Sequence, residues 1–501
     1  MSLTVDPRGP IHLESAPETF WSTTNLGEAL PGVTTPLGWS VWMPAIDIGV
    51  RDSFYRMGAI SKAETGKVPD KVEERVGGIF YGRAALNVNF LCAMGCRLPG
   101  TSPDAIAESL LGHVPEELKG KNTYGRLPFV AAKMPGALIG IRKDVIARAT
   151  PTKQWRLDWL AKMDSLDLEG AKAALDDSRR KFCEMIVVQA GGVFIGVQSV
   201  HDQMLALIKK ADLDPVTAAA LVGGQGSHAE TDIIFDLWKL GHGEMELDEF
   251  ITEHGYHGPY AGEISSHVWR EDPTPVIHLA KQYEQLPEDQ HPARQAAERT
   301  RARQEAEQVL LSKLPRAARP GAKLVLKMAV TRIPLRGVAK AAYLQSLDVV
   351  RASGRRLGVL LTEQGVLDEP DDAFYLTDAE LLGAMPADPK KVVAERRRQR
   401  AEFQAHNIPT NFNGTPTPFE MTGPETDPAD TPLNGIGASG GVVEGVVRVV
   451  HDPTFTDIEQ DEVLVCVTTD PSWAATMLLA SALVVDIGGL LSHAAVVARE
   501  V

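Results

Sequence analysis

The stretch from His406 to Pro432 constrains this chain most. It contains Pro409, Pro416, Pro418, Pro424, Pro428 and Pro432, with Thr, Asn, Gly and acidic residues between them. Proline fixes its own φ and donates no N–H, so neither a helix nor a central strand survives that density. The segment reads as an extended, semi-rigid linker. It divides the chain into residues 1–404, a linker over 405–432, and a short C-terminal part over 433–501.

The two parts have different local grammar. Residues 290–314 are rich in helix formers with a charged face, and Gly337 to Leu361 and Lys390 to Gln404 read as further helices. The last of these carries Arg396, Arg397, Arg398 and Arg400. That run reads as a solvated helix face rather than a phosphate-binding patch. Beyond the linker, glycines alternate with valine pairs from Leu433 to Val450, which predicts short strands joined by tight turns. Asp461–Val467 and Ala482–Asp486 are two more strands, and Ala494–Glu500 reads as a helix. The expected fold class is α+β: a mainly α-helical domain followed by a small β/β/α domain.

Bulk properties narrow the function. With 501 residues the chain is long enough for several domains and a large core. It has 66 acidic against 51 basic residues, a net charge of −15, which argues against nucleic acid as a partner. No run of apolar residues is long enough to span a membrane, and the start Met-Ser-Leu-Thr-Val-Asp-Pro lacks the features of a secretory signal, so a cytoplasmic location is expected. Cys92, Cys96, Cys183 and Cys466 are read as reduced thiols, because no further Cys or His completes a metal-ligand set beside the Cys92/Cys96 pair. Gly223-Gly224-Gln225-Gly226 lacks the Gly-Lys-Ser/Thr ending of a phosphate-binding loop and reads as a turn between helices.

The chemistry concentrates in Gly488-Gly489-Leu490-Leu491-Ser492-His493-Ala494-Ala495-Val496-Val497-Ala498-Arg499-Glu500. A neutral imidazole is a competent nucleophile near neutral pH, and a phosphohistidine can pass its group onward. Ser492 is a good N-cap, which sets His493 at a helix N-terminus where backbone N–H groups favour an anion. Gly488 and Gly489 leave room for a phosphate or a docking domain. With the preceding Gly-Val strands and the loop Thr468-Thr469-Asp470-Pro471-Ser472-Trp473, this segment resembles the phosphohistidine swivelling domain of phosphoenolpyruvate-utilising enzymes such as phosphoenolpyruvate synthase and rifampin phosphotransferase.

Four upstream segments resemble the substrate-binding domain of the same family: Asn25–Ser40, Leu221–Ser227, Gly255–Pro273 and Gly365–Leu381. The resemblance implies that His493, assisted by Ser492 and Arg499, receives a phosphoryl group made from Mg²⁺-ATP. The nucleotide would be held by an ATP-grasp partner subunit in trans. The 405–432 tether would then carry the domain to an alcohol or phenol held by residues 1–404. His254, His257, Glu263 and His267 are the candidate bases there, and Arg270 the candidate phosphoryl clamp. Relatives often carry arginine where this chain has His257, so either substrate handling differs there or His257 serves as a base, with a simple polar loop residue as the alternative. The family domain continues beyond an Arg-Glu, whereas this sequence stops at Val501, so an incomplete histidine domain is expected. Two other readings stay open: a small-molecule-binding protein without catalysis, and a phosphocarrier to another protein.

Overall fold

The computed structural model describes residues 9–223, 228–420, 435, 437–450, 462–469, 473–486 and 493–498. The architecture is mainly helical with three small sheets, as an α+β chain requires. At the centre lie three long helices, Pro36–Met57, Leu168–Gly191 and Leu335–Glu363. Their buried faces supply Leu37, Trp42, Phe182, Met185, Tyr343 and Leu347 to the largest apolar cluster. Trp42 meets Phe182 edge-on at 4.8 Å and Tyr343 at 5.8 Å, which fixes the packing of all three.

The helices expected from sequence are present as Pro292–Lys313, Leu335–Glu363 and Pro389–Gln404. The second helix of the core does not stop at Gly191: a π-helical turn over Gly192–Val197 joins it to Gln198–Ala211. This Leu168–Ala211 run is long and apolar enough to cross a membrane, but 56% of its most apolar window is buried within the protein. The arginine run differs from a solvated face. Arg396 pairs with Glu380, Arg397 with Asp372, and Arg400 donates to the carbonyl of Val33, so these cations pin the helix to its neighbours; Arg398 alone of the run faces outward, near Glu395.

Strands β1 (Phe20–Ser22), β2 (Gly77–Phe80), β3 (Arg83–Asn87) and β5 (Asn411–Asn413) form one antiparallel sheet in the order β2-β3-β1-β5. Strand β4 (His406–Asn407) pairs with β6 (Phe419–Glu420). The expected tether is therefore shorter at its start, because residues 406–420 dock on the N-terminal part. Proline density over the 28 residues of 405–432 predicts neither a helix nor a central strand. Here the strands are two or three residues long, Pro409, Pro416 and Pro418 fall between them, and β5 occupies a sheet edge, where a missing donor costs little. Ile408 and Phe412 are buried against Trp21 and Phe80. The rest of the expected tether lies outside the described residues.

Strands β7 (Val446–Val449), β8 (Glu462–Cys466) and β9 (Ala482–Val485) form a parallel sheet in that order. The helices Ala474–Leu479 and His493–Ala498 accompany it. Arg448 and Glu462 pair across β7 and β8. Of the strands expected between Leu433 and Val450, only β7 is present among the described residues.

Candidate functional site

Residues 255–273 form an irregular segment between the helices Leu247–His254 and Thr274–Glu284. Such a segment must have its polar groups satisfied from outside. Here the Leu335–Glu363 helix does so. Arg351, wholly buried, donates from Nη2 to the Ala261 carbonyl at 2.8 Å and from Nε to the Ser266 carbonyl at 3.1 Å. Arg355 donates to Glu271 at 2.9 Å and to the Ser265 carbonyl at 3.2 Å. Trp42 Nε1 donates to the Gly262 carbonyl at 2.9 Å. Within the segment, Trp269 N donates to the His257 carbonyl and Arg270 N to the Gly255 carbonyl, folding it into a hairpin-like loop. Gly262 is obligatory: a Cβ there would lie 1.7 Å from the Ala29 carbonyl oxygen.

Asp348 is the electrostatic centre. Its carboxylate is fully buried and accepts from Arg156 Nε at 2.8 Å and from Arg270 Nη2 and Nε at 2.9 and 3.3 Å, with Arg351 Nη1 at 3.7 Å. Burial pushes its pKa up, but the Arg270 and Arg156 charges prevail and hold it well below the usual carboxylate range. Burial works against the charge of Arg351 and lowers its pKa, while at Arg270 the ion pairs with Asp348 and Glu271 outweigh burial and raise it. Beside the cluster, the Arg156 guanidinium lies 5.1 Å from the centre of the Tyr256 ring. Burial pushes the Tyr256 hydroxyl up to about 12, so it stays protonated.

The structure brings the expected site residues into one region and gives them unequal roles. His254 is buried, with Nε2 2.8 Å from Asp236 Oδ2 and Nδ1 making no hydrogen bond among the described residues. That hydrogen bond is the largest factor in holding Asp236 below its ordinary pKa. With Asp236 ionised, the network assigns the proton to Nε2 and leaves a lone pair on Nδ1. His257 is buried between Tyr256, at 4.1 Å between ring centres, and Trp269, at 5.8 Å; its ring centre is 6.4 Å from that of His254. Glu263 is not placed as a base. Both of its oxygens accept from within the fold: Oε2 from Thr34 Oγ1 and Thr35 N, and Oε1 from Thr35 Oγ1, Ser265 N and Ser265 Oγ. Arg270 is engaged by Asp348 and Glu271, so its guanidinium organises the loop. His267 is exposed at the loop surface.

Asp236, Asp348, Arg156, Arg351 and Arg355 are not apparent from a motif. One signal was present: Asp348, Arg351 and Arg355 recur at helical spacing on one side of the Leu335–Glu363 helix, among its apolar residues. In the C-terminal part, the backbone of His493 opens the helix His493–Ala498, while Gly488, Gly489, Ser492 and Arg499 lie outside the described residues. The sheet carrying this helix packs on the N-terminal part. Val450, Leu464, Cys466, Trp473, Met477 and Val497 share an apolar cluster with Ile233, Ile234, Leu237 and Trp238 of the helix His228–Gly241. The same helix carries Asp236, the partner of His254.

Residues 200–337 match the family model "Rifampicin phosphotransferase fourth domain", and residues 458–501 match "PEP-utilising enzyme, mobile domain". An uncharacterised protein of Mycobacterium tuberculosis is 27% identical over 540 residues, covering 99% of this chain and 58% of its own length. The prodigiosin synthesizing transferase PigC of Serratia marcescens is 25% identical over 307 residues, 59% of this chain and 34% of that protein. A rifampicin phosphotransferase of Streptomyces sviceus is 34% identical over 142 residues, 28% of this chain and 16% of that enzyme. The chain thus spans a little over half the length of the first of these relatives. These matches make the chain a relative of the phosphoenolpyruvate-utilising, rifampicin-phosphotransferase-like family.

Proposed function

We propose that this chain is a phosphotransferase component in which His493 receives a phosphoryl group originating from ATP and delivers it to a hydroxyl of a small organic molecule. The observation that carries this reading is a juxtaposition. One helix, His228–Gly241, packs with its Ile233, Ile234, Leu237 and Trp238 side chains against the histidine-bearing part, and with Asp236 it holds His254 of the candidate acceptor site.

The delivery step breaks the N–P bond of phospho-His493 and forms a P–O bond to the acceptor. The hydroxyl proton passes to a base, and the departing imidazole regains neutrality. His254 is the best-formed base: Asp236 fixes its tautomer and would stabilise the imidazolium that results. His257 and the exposed His267 are alternative proton acceptors. Glu263 and Arg270 hold the loop that positions them.

Among the described residues no group of three or more His, Cys, Asp or Glu side chains offers a metal site. By analogy with the family, Mg²⁺ and ATP are assigned to an ATP-grasp partner, with AMP and inorganic phosphate as the other products. An aqueous-labelling experiment tests the reading. The chain is mixed with γ- and β-labelled ATP, with and without an ATP-grasp protein, and protein-bound label is followed. Acid-labile, base-stable label that disappears in His493→Ala is expected. Absence of label under every condition would exclude the phosphohistidine route and leave ligand binding as the function. Label formed without the added protein would place the nucleotide site on the same polypeptide. Discharge of the label by candidate alcohols or phenols would then define the acceptor.

A further inference from the structure

The helix Arg319–Arg332 turns an unbalanced cationic face outward. From Gln308 to Leu347 the sequence contains no Asp or Glu, yet it carries Lys313, Arg316, Arg319, Lys323, Lys327, Arg332, Arg336 and Lys340, in a chain of net charge −15. Elsewhere the protein pairs its cations densely, as at Arg270, Arg355, Arg396 and Arg397. Here Arg319 donates to the Ser312 and Leu314 carbonyls, Lys313 to the Asp212 carbonyl and Arg332 to the Leu138 carbonyl. Lys323 and Lys327 are exposed and have no carboxylate partner among the described residues. Clustered like charges repel one another, so such a face is most stable against an anionic surface.

Apolar side chains stand among these charges. Ala322, Val325, Leu326 and Ala329 of the helix face inward, but Leu324 is 58% exposed and Val330 39% exposed. Through Arg332 the helix is tied to Leu138 of the helix Leu127–Ala149, which exposes Phe129 and, at 81%, Ile139. That helix exposes Arg142 and Lys143, while its Lys133 lies over Tyr55 and its Arg148 pairs with Glu184. An acidic protein surface would satisfy the charges but gives no reason for isolated exposed Leu, Val and Ile side chains among them. A bilayer of anionic lipids satisfies both: headgroups meet the ammonium and guanidinium groups, apolar side chains enter the interface, and lysine stems lie along it.

We propose that the surface built on Arg319–Arg332 and the exposed side of Leu127–Ala149 docks peripherally on an anionic phospholipid bilayer. Such docking needs no spanning segment, and it departs from the sequence-based expectation that the protein has no membrane partner. It is independent of the phosphohistidine mechanism.

Co-sedimentation of the full chain with vesicles tests it. Vesicles of phosphatidylglycerol mixed with phosphatidylcholine should pellet the protein at low ionic strength, phosphatidylcholine alone should not, and added salt should release it. The double substitution K323E/K327E should weaken partitioning on the order of tenfold or more, while L324S/V330S should weaken it with the salt dependence retained. Both pairs alter exposed positions, and an unchanged thermal midpoint confirms the fold. No pelleting with anionic vesicles at low salt overturns the proposal. So does equal pelleting with phosphatidylcholine, or unchanged partitioning of K323E/K327E, even where the same surface is found to capture an acidic protein.

Discussion

Asp348 illustrates how one side chain holds this region. Two guanidiniums that face it, Arg156 and Arg351, are almost fully buried, and a third, Arg270, is half-buried. Their desolvation is tolerable only while the carboxylate is present. Asp348→Ala leaves these cations without their shared partner, and a loss of about 3–5 kcal/mol is expected in urea unfolding. The pH dependence has a definite sign. The folded carboxyl is held below its ordinary value of 3.8, so its contribution to stability is complete above that value and is lost as pH falls below it. The parent should therefore lose unfolding free energy steeply below about pH 4, and Asp348→Asn should flatten that part of the profile. A profile of equal slope in both proteins would show that Asp348 is not the linked group. The sequence made the loop residues legible because Gly255–Pro273 is a distinctive string. It left Asp348 and Asp236 hidden, because a single acid in a helix is ordinary until tertiary packing turns it inward. Glu263 shows the reverse case: it sits in the distinctive string yet serves Thr34, Thr35 and Ser265.

Elements were easier to read than their ends. The long helices were visible from composition and apolar spacing, since each must bury one stripe against the others. Strands β4, β5 and β6 were not, because proline density reports what a segment cannot do over a long run and says nothing about two- or three-residue pairings at an edge. Glycines inside the Leu335–Glu363 helix carry a further constraint that propensity alone inverts. Gly→Ala in an exposed helix interior ordinarily stabilises by about 1 kcal/mol. At Gly358, however, a Cβ would lie 1.9 Å from the Pro370 carbonyl oxygen. The backbone of residues 370–375, which carries Asp372 and Phe374 against this helix, would have to move. Gly358→Ala is therefore expected to destabilise by about 1–3 kcal/mol, the cost of overpacking, read as a lowered thermal midpoint. A raised midpoint would mean that the 370–375 turn yields easily and does not fix the helix.

At the scale of the whole molecule, the question is whether the C-terminal sheet and the helix His228–Gly241 act as one unit. Trp473 and Met477 come from one side and Trp238, Leu237 and Ile234 from the other, all buried in a common apolar cluster. Gly440 also comes close to the N-terminal part: a Cβ there would lie 3.1 Å from Ala219. Because the two tryptophans share this cluster, removing either should cost stability, and removing the second after the first should cost less. A double-mutant cycle with Trp238→Ala and Trp473→Ala is then expected to give a coupling of about 0.5–3 kcal/mol, the range for side chains that share a cluster. Strict additivity would mean that the two halves do not share a core, and the link from Asp236 to the histidine-bearing part would lose its structural basis. The cycle also bears on delivery. A histidine that collects a phosphoryl group in one place and releases it in another needs a docked state that is favourable but reversible, so the coupling should be modest relative to the stability of either half. Raising it, by a substitution that fills the cluster further, should slow exchange between sites; lowering it through Trp473→Ala should reduce discharge of phospho-His493 to acceptor while leaving its formation unchanged. That asymmetry between the two half-reactions would distinguish loss of this dock from general damage to the fold, which would depress both.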